Sequence, residues 1–424
     1  MRTFLTDRSG SIAVITAILL PILVGAFGFG AEVGYWLSVD RKMSQVADVT
    51  AYSTGAAFLM TSQDANILRK NAWNVAQKAG LTSADVEILT LLPVDTGVDQ
   101  IEVTIKRTLP RFFSAIFVQE PVQLEAKSIV ALQLGEPACV LALSQTAPDA
   151  IKNWGSADSR FEKCLAASNS ESETAIHVGG GSVFKAGCVS TVGNVVGINP
   201  IDLGCPAPKV KQPPTVDPYK DVPVPTATQI ISLPECKEIS STGSGENSIA
   251  VWSPGRCRSP VDWKAQTTYL FPGVYVFERG LTLQGKVLEL PEDQWRSSYP
   301  ALEPGVTLVF LEGSNLRAKG QASINITAPT SGPGAGFAIY KIGEQRKFAG
   351  GVELDLAGVL YAPQADLEFL GSSALGGSDC VRLIANTITF TGSNSFTSDC
   401  GPGGGAAFGT LEGLFVGRKF EIVQ

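Results

Sequence analysis

The stretch IAVITAILLPILVGAFGFGA, residues 12–31, runs for 20 residues without one charged side chain. A helix rises about 1.5 Å per residue, so this stretch covers roughly 30 Å, the hydrocarbon thickness of a bilayer. No second run like it occurs in the 424 residues. The pattern predicts a cytoplasmic tail at 1–11, one transmembrane helix at 12–37, and a single large body beyond the membrane. A cleaved secretory signal is the rival account, with Arg2 and Arg8 as its charged end and Val24-Gly25-Ala26 as its cleavage site. The apolar core of a signal usually spans about 7–15 residues, fewer than here. The helical pattern also continues afterwards. Met43, Val46, Ala47, Thr50, Ala51, Thr54, Ala57 and Phe58 recur at i, i+3, i+4 spacing, as expected of an amphipathic stem. A helix that spans and then runs on as a stem is a retained anchor.

Arg2, Arg8 and the α-amino group outweigh Asp7, which favours a cytoplasmic N-terminus. All 8 cysteines lie between Cys139 and Cys400. An even number confined to the distal body fits disulfides formed in an oxidising compartment, with buried free thiols as the alternative. Sequential pairing is expected: Cys139 with Cys164, Cys188 with Cys205, Cys236 with Cys257, Cys380 with Cys400. Each such bridge closes a loop of about two dozen residues or fewer and stabilises by roughly 2–4 kcal/mol. Charged residues make up only 17% and glycine numbers 44, which reads as a mainly β body with many turns. A net charge of −7, with no Lys/Arg run interleaved with aromatics, argues against a nucleic-acid partner.

Along the chain, Pro21 predicts a mild kink, and Gly30 and Gly34 form a G-x-x-x-G that permits close approach of membrane helices. Glu32 falls just past the apolar run, at headgroup level. A second helix is expected at 64–79, capped by Ser62 or Asp64, with Ile67, Leu68, Ala72, Val75, Ala76 and Ala79 on one face and Gly80 past its end. Strands at 86–94 and 101–105 flank a turn at Asp95-Thr96-Gly97. A short helix at 110–117 would point Phe112, Phe113, Ile116 and Phe117 one way, and a strand at 122–132 closes the module. Residues 38–135 thus read as a stem helix and a small pilin-like α+β module.

The run DRSGSIAVITAILLPILVGAFGFGAEVGYWLSVDRKMSQVADVTAYSTGAA, residues 7–57, resembles the N-terminal region of the TadG-like proteins of tight-adherence (Flp) pilus assembly. The shared marks are the Arg8 to Gly10 tail, Pro21, the Glu32-Val33-Gly34 step and Gln45-Val46-Ala47-Asp48. Glu32 stands where that family more often has Asp. Residues 103–132 resemble the next stretch of many members. The resemblance implies a non-enzymatic inner-membrane component without a cofactor, whose partners are other pilus assembly proteins or minor pilins. Two departures qualify it. Ile15 stands where a prepilin-peptidase substrate would carry Glu, so neither processing at Gly10 nor polymerisation through that acid is expected. The string LALSQT at 141–146 lacks the Asp of an A-type metal site, so no metal is inferred.

The rest divides into the start of a β-rich domain (139–205), a proline-rich strap or linker (206–234) and the main β-rich domain (235–424). Residues 206–225 hold seven prolines, which favour an extended polyproline-type path. Beyond them, apolar-x-apolar-x-Gly recurs as LTLQG (281–285), LRAKG (316–320), LEFLG (367–371) and ITFTG (388–392). The last two start 21 residues apart, close to one coil of an irregular parallel β-helix; an antiparallel sandwich shows the same alternation. The strings PGVY (272–275), ITAP (326–329) and GVLYAP (358–363), with Cys380 and Cys400, resemble the distal region of the same group. Signs of catalysis are sparse. The one histidine, His177, sits in an apolar strand, and the glycine triplets at 179–181 and 403–405 lack the Lys-Ser/Thr of a phosphate loop. Glu353/Asp355 and Asp366/Glu368 could pair for acid–base chemistry. The alternative function is therefore a membrane-tethered β-helix that binds or cleaves an envelope polysaccharide.

Overall fold

The computed structural model describes residues 9–60, 65–82, 86–93, 99–133, 135–197, 201–222, 227–320, 322–332, 334–348, 351–371, 374–375, 380–398, 400, 415–416 and 419–423. The expected cap at Ser62 or Asp64, the turn at Asp95-Thr96-Gly97 and the glycines at 403–405 lie outside them. The chain forms two compact units, residues 1–134 with 418–424, and residues 135–417.

In the first unit, α1 (Ser9–Met60) is one helix of 52 residues with Pro21 inside it. Its chemistry changes along its length. Val14, Ile18, Leu20, Ile22 and Phe27 are all exposed, and a helix apolar all round needs an apolar surrounding. Further on, only one stripe is apolar and buried: Met43, Ala47 and Ala51, with the Thr50 and Thr54 side chains beside them. Helix α2 (Ala65–Lys78) buries Ala72 and Ala76. It ends where Gly80 turns to φ +85° and Leu81 N–H reaches back to the Ala76 carbonyl at 3.2 Å, a glycine C-cap. Strands β1 (Val86–Pro93), β2 (Asp99–Leu109) and β3 (Val122–Gln133) form an antiparallel sheet. Ile101, Val103 and Ile105, all fully buried, meet Met43, Ala47 and Ala51 in one core. Alanines on both helices leave room for that contact.

Two sequence expectations change here. The strand Lys419–Val423 pairs antiparallel with β3, Phe420 opposite Leu132 and Ile422 opposite Val130. The last residues therefore complete the first unit's sheet and do not belong to the 235–424 body. Alternation in KFEIV suits any half-buried strand, so periodicity does not name the sheet it joins. The expected helix at 110–117 shrinks to a single 3-10 turn, Ser114–Ile116, and the Phe112 and Ser114 N–H groups at its start bond to the Glu32 side chain.

The second unit is built mainly of parallel ladders, with antiparallel pairs where Lys237–Thr242 meets Ile249–Ser253 and where Phe415–Val416 meets Glu136 and Pro137. The repeats lie in register. Leu281 pairs with Leu316, and Leu367 pairs with Ile388, then Ile151, then Ile176. Gly371, Gly392 and Gly155 align at the end of that row. Gly155 has φ +76°, and a Cβ there would stand 3.3 Å from Gly392 N, so the corner is built for glycine. A second column is Tyr275, Leu308, Ile339, Leu360, Leu383, Val140, Ala166, Val189, one residue from each of eight neighbouring strands. Every member is buried. The column crosses from Leu383 to Val140 without a change of register, so residues 136–203 stack beyond the 381–397 coil. The chain's earlier coils are the last in the pile.

That order gives the proline-rich segment its task. It leaves the far end, where Lys209 bridges to Ser190, and must return to the near end, where Glu235 bridges to Arg256. The column with Gly255 spans eight spacings, about 38 Å at about 4.8 Å each. On the way, Asn169 exchanges two hydrogen bonds with the Thr215 backbone, at 2.7 and 2.8 Å. Tyr219, fully buried, packs edge-on against Phe337 and Tyr361. Residues 209–219 of the segment therefore lie against the stack.

Phe369, Phe390 and Phe396 form a run of parallel rings, with centroids 5.3 Å apart at each step. Phe390→Ala is expected to lower unfolding stability by about 3–5 kcal/mol, read from denaturant titration of the intact chain.

Candidate functional site

Glu32 lies on α1 one position past the uncharged run and is 3% exposed. Its Oε1 accepts hydrogen bonds from Phe112 N at 2.6 Å and Ser114 Oγ at 3.0 Å, and its Oε2 from Ser114 N at 2.8 Å. A buried carboxylate is tolerated only when such donors replace water. Neighbouring residues on the same helical face complete the grip. A Cβ on Gly28 would fall 2.5–2.8 Å from the Phe113 ring atoms, so the ring rests on bare backbone. Tyr35 meets Phe112 edge-on at 6.1 Å, and the Arg111 guanidinium lies 5.4 Å from the Trp36 ring centre. Arg111 Nε also donates to the Glu120 carbonyl at 2.6 Å. Positions 28, 32 and 35–36 share a face at helical spacing, and that face holds the 110–118 segment. Gly30 and Gly34 do not take part: an added Cβ at either meets nothing within 4 Å. They form an open strip on another face of α1.

In the second unit the acidic pairs face outward. Leu354, Leu356, Leu367 and Phe369 are buried between and beside them. Asp355 accepts from Asn325 at 2.6 Å, Asp366 from Asn386 and Thr387 at 2.8 Å each, and Glu368 pairs with Lys347 at 3.4 Å. These carboxylates bind neighbouring coils. His177 Nδ1 is 2.9 Å from Asp149 Oδ1. Burial pushes the Asp149 carboxyl up, but bonds from Lys152, His177 and Thr174 outweigh it and hold the group below its usual range.

Sequence reasoning passed over a denser cluster under the strap. Tyr361 Oη donates to Asp217 Oδ2 at 2.7 Å, Tyr219 N donates to Asp217 Oδ1 at 2.9 Å, and Arg382 Nη1 donates to Tyr219 Oη at 3.1 Å. Burial raises the Asp217 carboxyl above its ordinary value despite those bonds, and burial next to Asp217 pushes the Tyr340 phenol up to about 12. The only signal was an Asp-Pro-Tyr inside a proline-rich run. Lys341 is also fully buried; its Nζ donates to the Leu311 and Ile342 carbonyls at 2.8 and 2.9 Å, and burial lowers its pKa to about 8. Both groups tie coils together. The cysteines are joined as Cys139–Cys164, Cys188–Cys205, Cys236–Cys257 and Cys380–Cys400. Sulfurs of Cys139, Cys164 and Cys400 lie within 4.8 Å of one another, which places two of the bridges side by side at the junction between the 381–397 coil and the 136–142 strand.

Residues 10–57 match the Tad family model, Flp pilus-assembly TadE/G-like. The match covers the apolar run, Glu32 and the buried stripe of the stem. No curated protein and no solved structure matches the chain.

Glu32→Ala leaves the Phe112 and Ser114 N–H groups without their acceptor, at a cost of about 2–4 kcal/mol. It is expected to make the Arg111–Phe112 bond a trypsin site in detergent-extracted protein, whereas Glu32→Gln retains partial protection. Asp217 binds its proton more tightly folded than unfolded. Its contribution to stability is complete below the ordinary carboxyl pKa, about 3.9, and is lost as pH rises through the raised value. Asp217→Asn is expected to flatten that part of the decline in urea midpoints measured between about pH 3 and pH 7.

Proposed function

We propose that the protein is a non-enzymatic component of tight-adherence (Flp) pilus assembly, anchored in the bacterial inner membrane by α1. The N-terminus is cytoplasmic, and the body, an irregular parallel β-helix, stands in the periplasm and docks other assembly proteins or minor pilins. The observation that carries the reading is α1. Within the residues that the TadE/G-like model matches, it is exposed and apolar all round at first, then packed along a single stripe against a sheet. It is long and apolar enough to cross a membrane. Four disulfides suit an oxidising compartment.

On this reading the protein works by tethering. α1 associates laterally through the open Gly30 and Gly34 strip, where another helix can approach closely. The strap contacts and disulfides keep the coils of the body together.

The test is purification of the tagged, membrane-extracted chain from a cell making the pilus, with mass spectrometry of the proteins that accompany it. Pilus assembly proteins are expected, with a reduced yield for Gly30→Leu/Gly34→Leu. Their absence, combined with saturable binding to a glycan panel that Glu353→Ala or Asp366→Ala abolishes, would establish the polysaccharide reading in its place.

A further inference from the structure

We propose that residues 112–118 are a second membrane contact, an apolar foot that enters the interface of the bilayer beside α1 and sets the depth and rotation of the stem. The inference rests on α1 being a membrane anchor.

Phe112, Phe113, Ile116, Phe117 and Val118 are 58%, 48%, 83%, 87% and 43% exposed. Five large apolar side chains in seven residues make an uncovered patch of the kind that marks a contact surface. Its position on α1 says what covers it. The Phe113 ring rests on Gly28, which lies three residues inside the end of the uncharged run, about 5 Å below it along the helix. At the same level α1 turns Phe27 and Phe29 outward, 76% and 53% exposed. A ring seated on the helix at that depth is surrounded by the same medium as Phe27. The patch is therefore continuous with the lipid-facing surface of α1, and lipid is its occupant.

The polar groups are arranged for the same boundary. Tyr35 and Trp36 stand one turn beyond Glu32, where amphipathic rings favour the headgroup zone. Arg111 lies over Trp36, donating from Nε to the Glu120 carbonyl and from Nη1 to Ser114 Oγ at 3.3 Å, so its charge is met by polar groups and an aromatic face. Gln119 and Glu120 come next after the patch and are exposed. Interfacial apolar segments enter about 5–10 Å, which matches the level of Gly28. Glu32 has a clear purpose in this arrangement. It satisfies the Phe112 and Ser114 N–H groups, which in lipid would have no water to bond to.

The experiment uses full-length protein reconstituted in phosphatidylethanolamine–phosphatidylglycerol vesicles. All eight native cysteines are paired, so an introduced thiol takes a spin label selectively. Labels go on Phe117→Cys, on Phe27→Cys in the span, and on Gln123→Cys, an exposed position of β3. Relaxation by oxygen is compared with relaxation by a water-soluble nickel chelate. The label at 117 is expected to behave like that at 27, with oxygen favoured several-fold, while the label at 123 favours nickel. Nickel-accessible 117 with lipid-buried 27 overturns the foot and leaves the anchor standing. Nickel access at both overturns the anchor as well. A label at 117 shielded from both reagents overturns lipid as the occupant and points to a second copy of the chain.

Discussion

The pairing of Leu383 with Val140 is the contact on which the body's construction turns. It joins two coils separated by more than two hundred residues of chain, yet column and register pass through it unaltered. Because the 136–203 coils stack beyond the 381–397 coil, the chain has to travel back along the pile before it can begin the coils that start near Ile249. That topology requires a strap. Its prolines suit an extended path with few ladder bonds of its own, and Asn169, Tyr361 and Arg382 provide the partners it needs.

Two disulfides lie where that junction is made. Cys139–Cys164 ties the first strand beyond the junction to the next coil, and Cys380–Cys400 closes the coil before it. Neighbouring coils in sequence are joined by short connections; these two are not, so their docking bears a larger loop-closure cost. Each of the two bridges therefore braces one side of the junction, and the junction itself is held by strand pairing and packing.

The stem has a different logic. α1 is one helix serving two surroundings, and the change between them falls at Glu32, where a carboxylate meets backbone donors of a distant loop. Most of this element was legible in the sequence, since charge-free length and i, i+3, i+4 spacing are local properties. The role of Glu32 was not. A single acid past an apolar run reads as a headgroup neighbour until the 110–118 segment is placed against it. Gly30 and Gly34 stood out as a spaced pair, yet the glycine that the fold packs is Gly28, whose partner is a phenylalanine far along the chain. The strand Lys419–Val423 escaped the reading for the same reason: its alternation is plain and its destination is not.

By itself the sequence determined the long apolar helix, the stripe on its stem, the inward-facing residue of each short strand and the corners that require glycine. These depend on periods of 3.6 or 2 residues and on backbone sterics, and both are local. Only the tertiary structure decided which coil lies on which, where the strap runs, which sheet receives the last strand and what Glu32 binds. Each of those is a choice among strands and loops with nearly the same alternation, made by packing and chain closure over long separations, and no local period encodes it.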